Sequence, residues 1–493
     1  MSALLNVAAS RWTDDWHERA EAAFGEVLSG GGAGRYDKQA RRLVEIRSPK
    51  LSADGAPFAA LIHPQNPTAG PYAGMSLVLF PSEDSEGCLI SLVVGTLGLG
   101  PDAQILGRPG HARRVAAIAR WLNRQFGRGA QIAWAKSSPT AIDQAIPDTI
   151  RRQFPEFSGA LDKYGSVIYG LCVPPADDPE AQSSALWAFL DLAMEERGAR
   201  LMKAHEGSAL ALKGMYLNGL MPNVDEAGVA EVLKVRRYAI LEGPPGTGKT
   251  RLADNLRHSA YQGRGLTAQF HPGTTYESFV GGLAPDPDEG AAGLRFLPRP
   301  GYLMTAIDEA EACSPEPYLL HLDEVNRADL AKVLGEAIYL LEPYAERRRT
   351  VRLGYAFPRS KAARTDVLSV PDNLHILGTM NSADRSIAVL DVAIRRRFAF
   401  LKLWPQRSVV ESSGDEVSLR AFDRLADMFI DWASEETFGL MPGHSYFLAG
   451  AHGGAVAALR QNLVPLLEEY LAQGYLPGFG EQVRAYIQWV ESL

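Results

Sequence analysis

Cysteine is scarce. The 493-residue chain has three, Cys88, Cys172 and Cys313, too scattered to form a disulfide framework or a paired metal site. Long hydrophobic runs are also missing: Cys88 to Leu99, among the longest, falls short of the roughly 20 residues that cross a bilayer and contains glycine. The opening MSALLNVAASRWTDDWHE has neither a basic n-region nor an apolar core, so it does not read as a signal peptide. These absences predict a cytoplasmic protein with no membrane association. Internal repeats and long low-complexity stretches are absent. So is a nuclease constellation of clustered acids with a lysine in the first domain, and so is an Asn-Lys-x-Asp guanine-reading motif.

What is present is ordinary in bulk: 46% apolar and 22% charged residues, enough for about two to four soluble domains. The net charge of −8 is unevenly shared. Residues 1–170 carry 18 Lys and Arg against 16 Asp and Glu, and the remainder 32 against 42. A slightly basic first part permits nucleic-acid contact without establishing it.

Helical spacing of Trp12, Trp16, Ala20, Ala23 and Val27 predicts a helix within 11–30. A basic run from Arg35 to Lys50 follows. Phe58–His63, Met75–Phe80 and Cys88–Val94 read as strands between turns, and 110–126 as a helix carrying Arg113, Arg114, Arg120 and Arg124. Residues 1–175 are therefore expected to be an α+β domain. Pro174-Pro-Ala-Asp-Asp-Pro179 marks a boundary, 176–224 a helical connector, 225–405 an α/β core and 406–493 an α-helical lid. In the core, strands expected at Tyr238–Glu242, Ala268–His271, Tyr318–Leu322, His375–Met380 and Phe398–Leu403 alternate with helices, which predicts a parallel sheet covered on both faces.

The first of those strands runs into Gly243-Pro244-Pro245-Gly246-Thr247-Gly248-Lys249-Thr250, matching G-x-x-x-x-G-K-[ST] at every fixed position. Glycines there let backbone N–H groups converge on a phosphate chain. Lys249 adds a cation, the Thr250 hydroxyl can ligate Mg²⁺, and the following helix points its N-terminus at the same phosphates. A nucleoside triphosphate is the expected ligand. Leu319-Leu-His-Leu-Asp323-Glu324 is an apolar strand ending in two acids: Asp323 would position Mg²⁺ and Glu324 polarise the attacking water. Asn381 ends another strand, where its amide could hold that water or cap an Asx turn. The run Arg395-Arg396-Arg397 reads either as a solvated or acid-paired face or, in a ring ATPase, as a group reaching a neighbouring subunit's nucleotide, a role for which Arg327 is a second candidate.

Taken together these motifs resemble AAA+ ATPases. Asp323-Glu-Val-Asn-Arg-Ala-Asp, Met380-Asn-Ser-Ala-Asp384-Arg385-Ser, Gly443-His-Ser-Tyr-Phe447 and Gln269-Phe-His-Pro-Gly-Thr-Thr-Tyr-Glu-Ser-Phe279 are narrower. Across about 225–470 they resemble the McrB family, motor subunits of modification-dependent restriction systems. The resemblance implies an AAA+ parallel-sheet core and a ring, expected to be hexameric, with an McrC-like stimulatory or nuclease-bearing partner. It implies a role for Asp384 and Arg385 in coupling hydrolysis to that partner, and for Arg327, Arg396 and Arg397 in acting across subunit interfaces. ATP is expected on general AAA+ usage, with GTP open because the family's namesake uses it. By position the first domain would select a target. Its basic residues with Tyr72, Trp121 and Trp134 suit DNA, and equally a protein-binding domain with Trp121 in its core. Two other readings of the chain are a MoxR-like remodelling ATPase acting on a protein client and a nucleotide-dependent assembly switch with little turnover.

Overall fold

The computed structural model describes residues 2–31, 34–49, 56–67, 71–141, 143–285, 296–343, 348–358, 365–384, 391–448 and 454–493. Lys50 and Arg385 lie outside them. The chain divides into two compact units, 1–221 with 430–434, and 222–429 with 435–493.

The first unit is built on a six-stranded sheet: β1 (Glu45–Arg47), β2 (Ala59–Ile62), β3 (Met75–Pro81), β4 (Cys88–Val94), β5 (Ala133–Ala135) and β6 (Ile168–Cys172). Their order is β1-β2-β3-β4-β6-β5, with every neighbouring pair antiparallel. Every residue of β3 and β4 is buried, which is why these segments read as continuous apolar runs instead of alternating ones. The connector expected at 176–224 is instead part of this unit up to residue 221. Its helix Pro179–Glu196 is capped by Asp178, which accepts the Ala181 N–H, and buries Leu186, Phe189, Leu190 and Leu192 completely. A helix with that much apolar surface needs a core to cover it.

The structure also corrects several DNA-facing expectations in this unit. Arg35 is 5% exposed and donates through Nε to Asp191 at 2.7 Å. Its guanidinium lies 4.2 Å from the Trp187 ring centre. Arg113 and Arg114 are buried, and so are Trp121 and Trp134, the latter within the apolar cluster of Val78, Leu89 and Ile150. Tyr72 faces the Arg47 guanidinium. Arg120, Arg124 and Arg128 are exposed, with Arg128 held by Asp177 at 2.9 Å.

The second unit is an α/β sandwich. Its sheet comprises β7 (Tyr238–Gly243), β8 (Gly265–Gln269), β11 (Tyr318–Asp323), β14 (Leu374–Asn381) and β15 (Ala399–Lys402). The order is β15-β7-β14-β11-β8, and every pairing is parallel. Alternate residues of β7 serve opposite layers. Ala239 and Leu241 pack with Val229, Leu233, Ala253 and Leu256, whereas Tyr238 and Ile240 pack with Leu303, Met304 and Ile307. Each large aliphatic side chain so buried contributes about 1.5–3 kcal/mol. Two antiparallel hairpins interrupt the alternation: β9 (Gly281–Pro285) with β10 (Phe296–Pro300), and β12 (Val351–Phe357) with β13 (Thr365–Leu368). Neither was expected from the sequence. After β15 the described chain is helical, including Glu416–Trp432, Val464–Ala472 and Gly480–Ser492.

Candidate nucleotide site

In a parallel sheet, ligands collect beyond the carboxyl ends of the strands. β7, β11 and β14 are neighbours, and they end respectively in the glycine-rich loop, in Asp323-Glu324 and in Asn381. Their pairing in register, with Asn381 opposite Gly243, brings three distant motifs to one edge. A cavity of about 390 Å³ opens there, lined by Gly246, Lys249, Thr250, Asp323, Glu324 and Asn381, among others.

The loop takes the curled form its glycines allow. Gly246 and Gly248 have φ of 79° and 78°, a left-handed conformation that strains any other residue. Gly248 caps the helix Lys249–Ser259, so that helix's first N–H groups face the cavity. Lys249 Nζ donates to Gly243 O and Pro244 O, both at 2.9 Å. Burial pushes its ammonium down to about 8, against the pull of Asp323, Asp384 and Glu324. A phosphate chain would supply the anionic partner that this buried cation lacks at hydrogen-bond distance among the described residues.

The acidic edge is a connected set. Asp323 Oδ1 accepts from Thr250 Oγ1 at 3.0 Å and from Thr379 Oγ1 at 2.6 Å. Thr379 Oγ1 in turn accepts the Glu324 N–H at 3.0 Å. Glu324 has φ 55°, a left-handed conformation that costs a non-glycine residue about 1–3 kcal/mol and persists only where its surroundings fix it. Its carboxylate meets Arg327 Nε at 2.9 Å within the same chain. Asn381 lines the cavity, and its carbonyl accepts from Asn326 Nδ2 at 3.2 Å. Asp384 contributes negative charge at Lys249, and its Oδ2 is buried without a hydrogen-bond partner among the described residues.

Arg396 and Arg397 are not at this edge. They end the helix Val392–Arg397, just before β15 begins opposite Ala239. The phosphate loop leaves β7 four residues further on, roughly 13 Å along the strand. Arg396 pairs with Glu342 at 3.0 Å, and Arg397 donates to Ala393 O. Sequence reasoning passed over Thr379, although it sits two residues before Asn381 and so on the same face of β14, a polar residue in an apolar run. It also gave no role to His444 and Ser445, which line the cavity from beyond β15.

A family model described as "AAA domain (dynein-related subfamily)" matches residues 239–398. The "Type IV methyl-directed restriction enzyme EcoKMcrB subunit" of Escherichia coli (strain K12) is 30% identical over 353 residues, which span 66% of this chain and 75% of that protein. The chain belongs to the McrB family. The "Type II restriction enzyme BsuMI component YdiS" of Bacillus subtilis (strain 168) is a further relative of this McrB-like chain, 27% identical over 210 residues, 36% of this chain and 61% of that one. Both relatives are restriction components by name, and the parallel sheet with its loop makes this McrB-like chain an AAA+ NTPase.

Proposed function

We propose that this chain hydrolyses a nucleoside triphosphate, ATP in the first instance and GTP as the alternative, within a homo-oligomeric ring. The observation that carries this reading is the chain of contacts Thr250–Asp323–Thr379–Glu324 beside the phosphate loop. It supplies a hydroxyl and a carboxylate 3.0 Å apart, which suit Mg²⁺, and a second carboxylate on a backbone held in a strained conformation. Thr250 and Asp323 would hold the ion, which when bound neutralises charge on the phosphate oxygens. Lys249 and the N–H groups of Gly246 to Thr250 bind and orient the phosphates. Glu324 accepts the proton of the attacking water, and Asn381 holds that water in line.

Arg396 and Arg397 act on the nucleotide of an adjacent subunit, a reading supported by their place at the far edge of their own sheet. Arg327 shares that role, and its pairing with Glu324 then holds both residues at rest. The relative's name, a subunit of a methyl-directed restriction enzyme, supports a motor role in defence against foreign DNA. The first unit would select the target, and an McrC-like chain would stimulate turnover and carry the cleavage activity. Asp384 and Arg385 would couple the two. The test is Glu324→Gln in the full chain: nucleotide binding is expected to persist while hydrolysis drops at least about a hundredfold. Turnover at the wild-type rate sinks the assignment.

A further inference from the structure

The cavity wall facing the phosphate loop comes from far down the chain. Gly443 N–H donates to Pro245 O at 2.9 Å, and Ser445 N–H donates to Gly246 O at 3.0 Å. A Cβ on Gly443 would stand 2.0 Å from the Gly246 carbonyl carbon, so backbone lies directly on backbone there. These two bonds flank His444 and fix it over the loop. Its Nδ1 accepts the Gln406 N–H at 3.2 Å. A ring nitrogen that accepts leaves the proton on the other, so Nε2 is the donor of a neutral imidazole. Nε2 lies 3.7 Å from where a Cβ on Gly248 would stand, beside the first turn of the helix Lys249–Ser259, and no described residue accepts its proton. A donor held in place on both sides and aimed into a phosphate cradle is short of one partner.

We propose that His444 is a nucleotide-binding residue whose Nε2–H donates to a phosphate oxygen of the bound nucleoside diphosphate moiety. The inference rests on the reading of this cavity as a nucleotide site. Burial and the charge of Arg251 hold the imidazole down to about 4, so the donor is present unchanged across neutral pH. Val409 and Leu448 extend the same cavity and give an apolar surface for the base. The link also runs the other way. Ser382 donates its N–H to Gly243 O at 3.0 Å and its hydroxyl to Gly439 O at 2.8 Å. The segment that carries His444 is therefore tied to the phosphate loop and to the end of β14 together.

The experiment is calorimetric titration of the full chain with ADP and, separately, GDP, using wild type, His444→Ala and His444→Gln. The alanine variant is expected to bind the preferred diphosphate about tenfold more weakly. The glutamine variant, which keeps a donor amide, should return to within about threefold of wild type. The ratio of wild-type to alanine affinity should stay level between pH ~6 and ~8, as a neutral donor requires. Unchanged binding by His444→Ala overturns the proposal, as does glutamine no better than alanine or a ratio that rises steeply toward acid. If the variants fail to fold, carbethoxylation of wild-type His444 followed by mass spectrometry decides: ADP protects it, or the proposal fails. A wild-type chain that binds neither diphosphate overturns the nucleotide reading itself. Binding without hydrolysis of the triphosphate overturns only the hydrolytic reading and leaves His444 standing.

Discussion

Thr379 offers a sharp test of how the acidic edge works, because one hydroxyl joins two parts of it. Replacing it with valine keeps the branched shape inside a strand where the residue is 1% exposed, and removes only the hydroxyl. Two bonds go with it, the 2.6 Å donation to Asp323 and the 3.0 Å acceptance from the Glu324 N–H. A donor left without its acceptor costs about 1–3 kcal/mol, and Asp323 keeps the Thr250 hydroxyl as its other donor. Glu324 sits at φ 55°, and relaxation of that strain would recover a similar amount. Once the N–H tether is lost, the backbone is therefore free to turn and carry the carboxylate off line. We expect Thr379→Val to lower stability by about 1–3 kcal/mol and hydrolysis by about 10- to 100-fold, with nucleotide affinity within about threefold because the loop contacts are untouched. Thr379→Ser, which restores the hydroxyl, should hydrolyse near the wild-type rate. Steady-state phosphate release and denaturant titration measure both quantities. A valine variant with full activity, or a serine variant as slow as valine, refutes the reasoning.

If Arg396 and Arg397 serve the adjacent subunit's nucleotide, a double Arg396→Ala, Arg397→Ala chain and a Glu324→Gln chain are each inactive alone. Mixing them restores part of the hydrolysis, since an intact pocket then meets intact arginines; no recovery on mixing counts against action between subunits. His375 should govern acid sensitivity: its Nδ1 shares a 2.6 Å hydrogen bond with the Tyr261 hydroxyl, and burial, helped by Arg237, pushes the imidazole down to about 4. The folded value lies below the unfolded one of about 6.5, so this stabilisation is complete above that pH and is lost as pH falls toward 4, about 2 kcal/mol by pH ~5. His375→Phe should flatten that part of the acid dependence in denaturant titrations, and identical profiles for the two chains would discredit it. Arg35→Ala removes the counter-charge of Asp191 and leaves it the Tyr36 hydroxyl, and should cost about 3 kcal/mol of stability, read by the same titrations, whereas a surface arginine would cost under about 1 kcal/mol.

Those arginines show where sequence reading loses its grip. The phosphate loop, the acid pair and Asn381 were legible because each motif follows an apolar strand, and parallel strands must deliver their ends to one edge. The five core strands were placed to within a few residues for the same reason. In the first unit, strands buried on both faces announced themselves by continuous apolar runs, but charge did not announce its partner. Arg35 reads as one of a basic run until Asp191, 156 residues away, is seen to hold it. Trp121 and Trp134 read equally well as stacking surfaces or as core, and burial decides for core. The two hairpins were missed because one strand of each, β10 and β12, is mostly exposed, so no apolar periodicity marks them.

The site's remaining parts depend on contacts that spacing cannot express. Thr379 matters through a hydroxyl shared between Asp323 and the Glu324 backbone, and Glu324 matters through a φ angle that its residue type argues against. Both are consequences of one fact about the sheet: β14 lies between β7 and β11. A strand in that position can reach the phosphate loop on one side and the acids on the other. It does so with three residues near its end, Thr379 toward Asp323, Asn381 opposite Gly243, and Ser382 onto the Gly243 carbonyl. The strand that carries no phosphate-binding motif is thus the one that fixes the distance between the phosphate loop and the acids. Shifting its register by one residue would turn Thr379 to the opposite face and separate them.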